Sequence, residues 1–302
     1  MFSKGDCAAE KGSGVMSGIY SYRDMKRDLR KLSLKYQGLL KVFWLAKTAD
    51  GNRIYGIRLG NPAASKNVVI QASMHGREWL NTELLICMVK RCCRRFRIGR
   101  YHGKSYQVLF GEVCFWILPM VNPDGVAVSQ YGAEGLRSIR LQRLVKELSG
   151  KDAKFWKANA RGVDLNRNYS TGFGASAAKY RGSAEYAGKT PFSERETRAL
   201  VKLILKIEPQ AVLNYHETGH LIYYKNDSRL VQTVHALTGY KLCKEGQECN
   251  GNLGDWLTER GIDWCTLETC VKVAPVCEKQ LLHEWKRHRN MLPAIAEMFC
   301  QV

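Results

Sequence analysis

Two histidines and two glutamates could together bind a metal ion and activate a water molecule. His75 and Glu78 are three residues apart, with Gly76 between them to allow a tight turn, and His216 comes much later in the chain. Two imidazoles and one carboxylate leave a fourth coordination position for water, which is the pattern of catalytic rather than structural zinc. Glu268 is a lone carboxylate that could take a proton from that water. These residue types therefore predict a metal-assisted hydrolytic site.

Each of these side chains stands at the end of a segment that is predicted to be a strand. The three segments are apolar and cover 68–72, 211–215 and 264–268. Taken singly, the histidines are more typical of a surface turn or a core edge, and the glutamate is typical of a terminal charge. Because sites in α/β sheets form at the carboxyl ends of strands, the joint occurrence favours one shared site.

Other periodic segments predict the elements that must position these strands. Helices are predicted over 20–36, 78–96, 136–148, 193–207 and 277–299, and further strands over 40–44, 54–59, 113–119 and 221–224. Ser193 and Glu196 have the spacing of a capping box for the fourth helix. Strands that alternate with helices predict a three-layer α/β/α sandwich around a mixed, mostly parallel β-sheet.

The composition is that of an ordinary globular protein. The chain has 302 residues, of which 45% are hydrophobic and 25% are charged, and this excludes collagen, coiled-coil and low-complexity classes. The longest apolar run, 113–121, is far shorter than the ~20 residues that a membrane span needs. We predict one domain over 19–302, preceded by a flexible N-terminal segment over 1–18.

The formal net charge is +19, from 47 Lys and Arg residues against 28 Asp and Glu residues. Such a charge can attract a polyanion such as nucleic acid, an acidic membrane surface or an anionic cell-wall polymer. The basic residues are spread along the chain, however, and no linear basic motif is interleaved with aromatic residues. A solvated basic surface is therefore favoured over a polyanion-binding function.

The cysteines indicate a reducing compartment. Eleven is an odd number, and the first fifteen residues lack the apolar segment of a secretory signal, so a cytoplasmic location is expected. Export to the cell wall by a non-classical route stays open. Five cysteines near Glu268 in sequence could form a structural metal site or a redox switch, but their spacing favours buried free thiols. They are Cys243, Cys249, Cys265, Cys270 and Cys277.

Six motifs give the chain a resemblance to a known family. In order they are His75-Gly76-Arg77-Glu78-Trp79, Asn122-Pro123-Asp124-Gly125, Gly162-Val163-Asp164-Leu165-Asn166-Arg167-Asn168-Tyr169, Pro191-Phe192-Ser193-Glu194-Arg195-Glu196-Thr197, Asn214-Tyr215-His216-Glu217-Thr218-Gly219 and Thr266-Leu267-Glu268. These segments resemble the M14 family of zinc carboxypeptidases over nearly the whole chain, from Tyr20 to about Phe299. Six motifs in the family's order are far more specific than one pattern.

The resemblance implies roles for the residues that could do chemistry. It implies that His75, Glu78 and His216 bind one zinc ion and that Glu268 is the general base and acid. Zinc lowers the pKa of water towards ~7 and polarises a carbonyl, which fits hydrolysis of a peptide bond.

Other residues of the motifs receive binding and structural roles from the resemblance. Arg167, with Asn166 beside it, would hold the terminal carboxylate of the substrate, because a guanidinium can grip a carboxylate with two parallel hydrogen bonds. Asp164 is expected to orient the loop or a metal ligand. The segment Asn122-Pro123-Asp124-Gly125 is expected to be a structural turn that borders the site.

Two features of the digestive members of the family are missing. Gln247 stands about eight residues before Asp255-Trp256, where those members have a mobile tyrosine over the substrate. The arginine that polarises the carbonyl is also unplaced, and Arg161 is only a candidate. Tyrosines near the motifs either line the cleft or pack at the sheet edge. They are Tyr169, Tyr223 and Tyr224.

These departures favour one bacterial branch of the family, which cleaves γ-D-glutamyl–diamino acid bonds in cell-wall peptides or acts as a murein peptide amidase. The short span from His216 to Glu268 and the segment Trp156-Lys157-Ala158-Asn159 favour the same branch. A basic surface would suit small muropeptides that carry several carboxylates.

The predicted function is therefore zinc-dependent hydrolysis of a peptide or γ-D-glutamyl–diamino acid bond near a free carboxylate. The alternative is a catalytically silent relative that binds peptides or wall fragments. The expected partner is a peptide or muropeptide with a free carboxylate, and we expect a monomer with no specific nucleic acid and no membrane span.

Overall fold

The predicted strands pair into one sheet. The structure is a computed structural model that describes residues 19–150, 152–276 and 279–300. Its strands are β1 (Leu40–Lys47), β2 (Arg53–Gly60), β3 (Lys66–Ala72), β4 (Arg100–Tyr101), β5 (Lys104–Ser105), β6 (Val113–Leu118), β7 (Ala211–Glu217), β8 (Leu221–Tyr224), β9 (Lys241–Lys244) and β10 (Asp263–Thr269). Strands β4 and β5 form a separate small hairpin, and the other eight form the main sheet.

The main sheet has a parallel centre. Its order is β1-β2-β6-β3-β7-β10-β8-β9, and β6, β3, β7 and β10 run parallel to one another. The register pairs Ala72 with Tyr215 and His216 with Glu268. The carboxyl ends of β3, β7 and β10 therefore meet at one edge of the sheet, as the sequence predicts.

Helices cover both faces of this sheet. They are α1 (Tyr22–Lys35), α2 (Leu80–Arg95), α3 (Tyr106–Glu112), α4 (Pro123–Tyr131), α5 (Ile139–Ser149), α6 (Arg195–Ile207), α7 (Arg229–Thr238), α8 (Leu253–Thr258), α9 (Lys279–His288) and α10 (Met291–Phe299). Successive strand side chains point to opposite faces, so Val68 and Ile70 pack in a different core from Val69. The first core lies under α1, α2, α7, α9 and α10, and the second under α6 and α8. The three-layer α/β/α prediction is confirmed.

Three sequence-based expectations about local structure are corrected. The predicted closing helix is two helices, α9 and α10, with a break at residues 289–290 ahead of Pro293, which is poorly tolerated deep inside a helix. Pro123 begins helix α4, and Asn122 caps it by accepting a hydrogen bond from the Gly125 backbone N–H. The expected turn is therefore the start of a helix that the sequence analysis missed.

The predicted capping box of α6 does not form. Glu194, not Ser193, precedes the first helical residue, and no side chain caps the helix. The Ser193 hydroxyl instead donates to the Glu194 carboxylate and lies 2.9 Å from the Asn168 amide nitrogen. The Ser193 side chain therefore bonds to these neighbours and does not cap the helix as its spacing from Glu196 predicts.

Glu196, the other member of the expected box, is almost fully buried and predicts a pH-dependent stability. Burial, reinforced by the Asp124 carboxylate, raises the pKa of Glu196 from 4.5 to about 8. The folded state therefore holds a proton that the unfolded state releases above pH ~4.5, so this group's contribution to stability falls as the pH rises towards about 8. We expect Glu196→Gln to raise the free energy of unfolding at pH 9 by roughly 3–5 kcal/mol.

Urea unfolding of wild type and Glu196→Gln at pH 5 and pH 9 measures this effect. The two proteins should differ by only about 1 kcal/mol at pH 5, where the carboxyl stays protonated in the folded state although most of it is ionised in the unfolded state. Glu147→Gln, at an exposed position on α5, is the matched control. An equal effect of Glu196→Gln at both pH values would show that the glutamate is not protonated in the folded protein.

Two further expectations concern the chain as a whole. Among the residues that the structure describes, no helix is both long enough and apolar enough to cross a bilayer. The expected N-terminal segment, 1–18, lies outside the described residues.

Candidate metal centre

The turn after β3 is shaped to bring His75 and Glu78 together. Ser73 has a φ of +52°, which is unusual for a residue with a side chain, and its hydroxyl donates to the Glu78 carbonyl at 3.0 Å. Gly76 lies so close to the Gly125 carbonyl that a Cβ atom could not fit. Its N–H donates to the Lys157 carbonyl at 2.9 Å. The turn is therefore fixed from both sides, and this close packing explains the glycine.

Three side chains converge at this turn. His75 Nδ1 lies 2.8 Å from Glu78 Oε1 and 3.1 Å from His216 Nδ1, which in turn lies 3.0 Å from Glu78 Oε2. All three residues are at most 5% exposed. In the described part of the chain this is the one group of three or more potential ligands close enough to share a metal ion. Two nitrogens and a carboxylate this close together fit the ligand set of catalytic zinc.

The electrostatics of the cluster support cation binding. Burial alone would raise the pKa of the Glu78 carboxyl, but His75 and His216 hold it below its ordinary value. A buried carboxylate that faces two ring nitrogens gives a divalent cation both charge compensation and the imidazole donors that suit zinc. The residues expected to bind zinc are thus placed together by the fold.

Asp164 supports the cluster from behind. Its Oδ1 lies 3.1 Å from His75 Nε2, and its Oδ2 lies 3.0 Å from the ammonium group of Lys157. Burial opposes the charge on Asp164, yet His75 and Lys157 hold its pKa well below the ordinary value. A carboxylate on Nε2 fixes the proton there and turns the lone pair of Nδ1 towards the metal. This contact agrees with the orienting role expected for Asp164.

Glu268 faces the same edge from the neighbouring strand. It pairs with His216 in the β7–β10 register, and the side chains of both residues lie on the face of the sheet that α6 and α8 cover. Burial raises the pKa of Glu268 to about 7, and the Glu78 carboxylate acts in the same direction, whereas His216, Lys157 and Arg77 lower it. A carboxylate of raised basicity beside the cluster is suited to accept a proton from water.

Arg167 and Asn166 lie in a short 3₁₀ turn, Leu165–Arg167, directly after Asp164. The Arg167 guanidinium donates to the half-exposed Glu185 carboxylate at 2.9 Å, and its buried Nε has no partner among the described residues. The Asn166 side chain accepts from the Leu253 backbone N–H at 3.0 Å. Arg167 thus already binds one carboxylate and keeps donor capacity, while Asn166 fixes the adjacent loop.

The structure places Arg161, the candidate from the sequence for polarising the carbonyl, and Lys157, which the sequence analysis did not consider for this role, in different surroundings. The Arg161 guanidinium pairs with Glu194 at 3.1 Å, and half of its side chain is exposed. Lys157 is mostly buried, and its positive charge acts on both His75 and Glu268. Sequence reasoning missed Lys157 because nothing local distinguishes it from the other 46 basic residues. Its position next to Asp164 exists only in the folded chain.

The remaining sequence expectations about this region are partly met. Tyr169 is fully buried and packs against Phe192 and Trp256, so it belongs to the core and not to the cleft. All described cysteines are free thiols, and Cys265 and Cys270 are buried as expected, whereas Cys243 and Cys249 are half-exposed. Cys277 lies outside the described residues.

The chain is similar in sequence to the members of one known family. The family model for zinc carboxypeptidases, Peptidase M14, matches residues 25–250. The uncharacterized protein YqgT of Bacillus subtilis (strain 168) is 30% identical over 243 residues, which cover 78% of this chain and 62% of that protein. Gamma-D-glutamyl-L-diamino acid endopeptidase 1 of Lysinibacillus sphaericus is 25% identical over 261 residues, with 81% and 63% covered.

The fold comparison agrees with the sequence comparisons. The crystal structure of thrombin activatable fibrinolysis inhibitor aligns with a TM-score of 0.72 over 93% of this chain and 74% of that chain, at 19% identity. This chain spans a little under two thirds of the length of YqgT and of the Lysinibacillus enzyme. The match of the family model over most of the chain, together with the shared fold, shows that the chain belongs to the zinc carboxypeptidase family.

Proposed function

We propose that this chain is a zinc-dependent metallopeptidase that hydrolyses a peptide or γ-D-glutamyl–diamino acid bond next to a free carboxylate. The convergence of His75, Glu78 and His216 beside Glu268 is the observation that carries the proposal. The alternative of a silent binding relative is disfavoured because the three potential ligands cluster and Glu268, the proposed base, is present on the neighbouring strand.

The residues of the candidate site have distinct roles in this mechanism. His75, Glu78 and His216 would hold the zinc ion, which when bound supplies Lewis-acid activation of water and of the scissile carbonyl. Glu268 accepts a proton from the attacking water and returns it to the leaving amine nitrogen. Asp164 keeps His75 in the tautomer that presents Nδ1 to the metal.

Lys157 is our choice for the cation that stabilises charge on the carbonyl oxygen. Its ammonium group is held by Asp164, 3.0 Å away, and its charge reaches both a metal ligand and the base. A preoriented cation in a site with little water stabilises negative charge that develops in the transition state. Arg161 is less suited to this role because it is exposed and paired with Glu194.

The Arg167 guanidinium would hold the terminal carboxylate of the substrate. Its ion pair with the half-exposed Glu185 carboxylate at 2.9 Å supports this role, because the same donors could bind a substrate carboxylate. The name of the Lysinibacillus relative supports a γ-D-glutamyl–diamino acid bond as the target. Because muropeptides are anionic, the net charge of +19 would favour their approach.

Mass spectrometry of the chain incubated with L-Ala-γ-D-Glu-diaminopimelate tests the proposed reaction. We expect release of diaminopimelate that stops when a zinc chelator is added and returns with zinc. If only α-linked peptide C-termini were cleaved, the proposal of a peptidase would stand and the γ-D-glutamyl bond would be excluded as its target. No turnover of either substrate by zinc-loaded protein would favour the silent relative.

Arg167→Ala tests the carboxylate clamp. We expect KM for a substrate with a free terminal carboxylate to rise by roughly 10- to 100-fold, since a charge-assisted bidentate contact is lost. The same substrate with an amidated terminus should be cleaved equally well by both proteins. Arg161→Ala is the matched control, and an equal loss on both substrates would contradict the clamp.

A further inference from the structure

A groove of about 600 Å³ lies between strand β1 at the sheet edge and helix α6, and none of its lining residues belongs to the metal centre. Aromatic side chains line it. The Phe43 and Trp116 rings meet edge to face with centroids 5.6 Å apart, and both side chains are partly exposed. Gly56 lies directly beneath the Phe43 ring, which leaves no space for a Cβ atom. The groove is therefore built around rings that lie on the sheet.

The walls of this groove are strongly basic. Seven of the fifteen lining residues are Lys or Arg and none is Asp or Glu, whereas the whole chain has 47 basic residues in 302. The seven are Lys41, Lys47, Arg58, Arg195, Arg198, Lys202 and Lys206. Arg195 and Arg198 donate only to backbone carbonyls, and the other five have no ion-pair partner among the described residues. Uncompensated like charges of this density favour an anionic ligand.

The cations on α6 form a row along one helix face. Arg195, Arg198, Lys202 and Lys206 are spaced by three, four and four residues, so their Cα atoms rise by about 16 Å along the axis, roughly 5–6 Å per step. Lys41, Lys47 and Arg58 face this row from the sheet. Two basic walls over an aromatic floor match a linear anion that carries flat rings.

Protection of the sheet edge explains only part of this pattern. Lysines on an edge strand such as β1 discourage pairing with another chain. That reason does not extend to the four cations on α6, which lies on the face of the sheet. It also does not explain the two partly exposed rings of Phe43 and Trp116 between the basic walls.

We propose that this basic-aromatic groove binds single-stranded nucleic acid without sequence preference. Lysines and arginines along the walls would neutralise successive phosphates, and the rings of Phe43 and Trp116 would stack on bases. A bare polyphosphate would use the cations but gain nothing from the rings. The groove joins β1, β2, β6 and α6, which are far apart in sequence, so no linear motif reveals it.

Fluorescence anisotropy with a labelled dT12 oligonucleotide, measured over a range of salt concentrations, tests the proposal. If about four phosphates are neutralised, log K should fall against log salt with a slope of about −3. The double variant Lys202→Gln, Lys206→Gln should reduce that slope by about 1.4 and weaken binding roughly 25-fold at 0.1 M salt. Phe43→Leu should weaken dT12 binding by about 5-fold or more at every salt concentration.

The matched control changes two lysines on the opposite edge strand, Lys241→Gln and Lys244→Gln. An equal loss in this control would show diffuse surface attraction and overturn the groove. Inorganic polyphosphate that competes as well as dT12 per charge, with no effect of Phe43→Leu, would overturn the nucleic-acid assignment. If dT12 showed no salt-sensitive binding, both the groove as a binding site and its assignment to nucleic acid would be overturned. Peptidase activity should be unchanged in all three variants, which verifies that they fold.

Discussion

Glu268→Gln is expected to reduce kcat by roughly 10²- to 10⁴-fold while the protein still binds zinc and substrate. The size of the loss is that typical of removing a general acid–base group. Glutamine keeps the shape of the side chain but cannot accept a proton from water. Glu268 is not among the three side chains whose donor atoms cluster, so the metal should stay.

Steady-state kinetics together with zinc content measured by mass spectrometry separate these effects. Glu147→Gln, an exposed change of the same type, should match wild type in both measurements. An active Glu268→Gln protein would contradict the assignment of the base. A variant that had lost zinc as well would instead make Glu268 part of the metal site.

His216→Ala is expected to abolish zinc binding and, with it, turnover. The substitution removes one of three donor groups that lie within about 3 Å of one another. Loss of a residue that only supports a metal ligand weakens metal binding by up to about 100-fold, so loss of a ligand itself should weaken zinc binding by more than that. The fold should persist, because the His216 carbonyl remains held by Asn81 and Thr269 at 3.0 and 3.1 Å.

Zinc titration by calorimetry and by thermal unfolding measures this effect. Zinc should raise the Tm of wild type, since it binds the folded state, and should leave the Tm of His216→Ala unchanged. Asp164→Asn should lie between them, with affinity reduced 10- to 100-fold. His283→Ala, on the exposed side of α9, should behave as wild type. Wild-type zinc affinity in His216→Ala would contradict the ligand set.

Part of the site could be predicted because it lies at strand ends. His75 and Glu78 follow β3, His216 lies on β7 and Glu268 on β10, and all three strands have apolar patterns that the sequence displays. Neighbouring parallel strands have their carboxyl ends at the same edge of the sheet. The position of these residues at predicted strand ends was therefore enough to expect their side chains to converge.

Other features had no local signal. Lys157 lies in an irregular segment and matters because folding brings it to Asp164. Ser193 and Glu196 have the right spacing for a cap, yet one contacts Asn168 and the other is buried. Local rules fail at such positions because tertiary contacts are worth as much as the local ones with which they compete.

The sequence by itself determined the layers of this protein and the residues that we propose for its metal centre. Periodicity fixes which side chains are buried, and burial fixes which elements pack together. Only the tertiary structure decided the pairing of His216 with Glu268, the place of Lys157 beside Asp164, and the basic-aromatic groove. The physical reason is that each of these depends on contacts between segments far apart in the chain, and such contacts leave no periodic trace in the sequence.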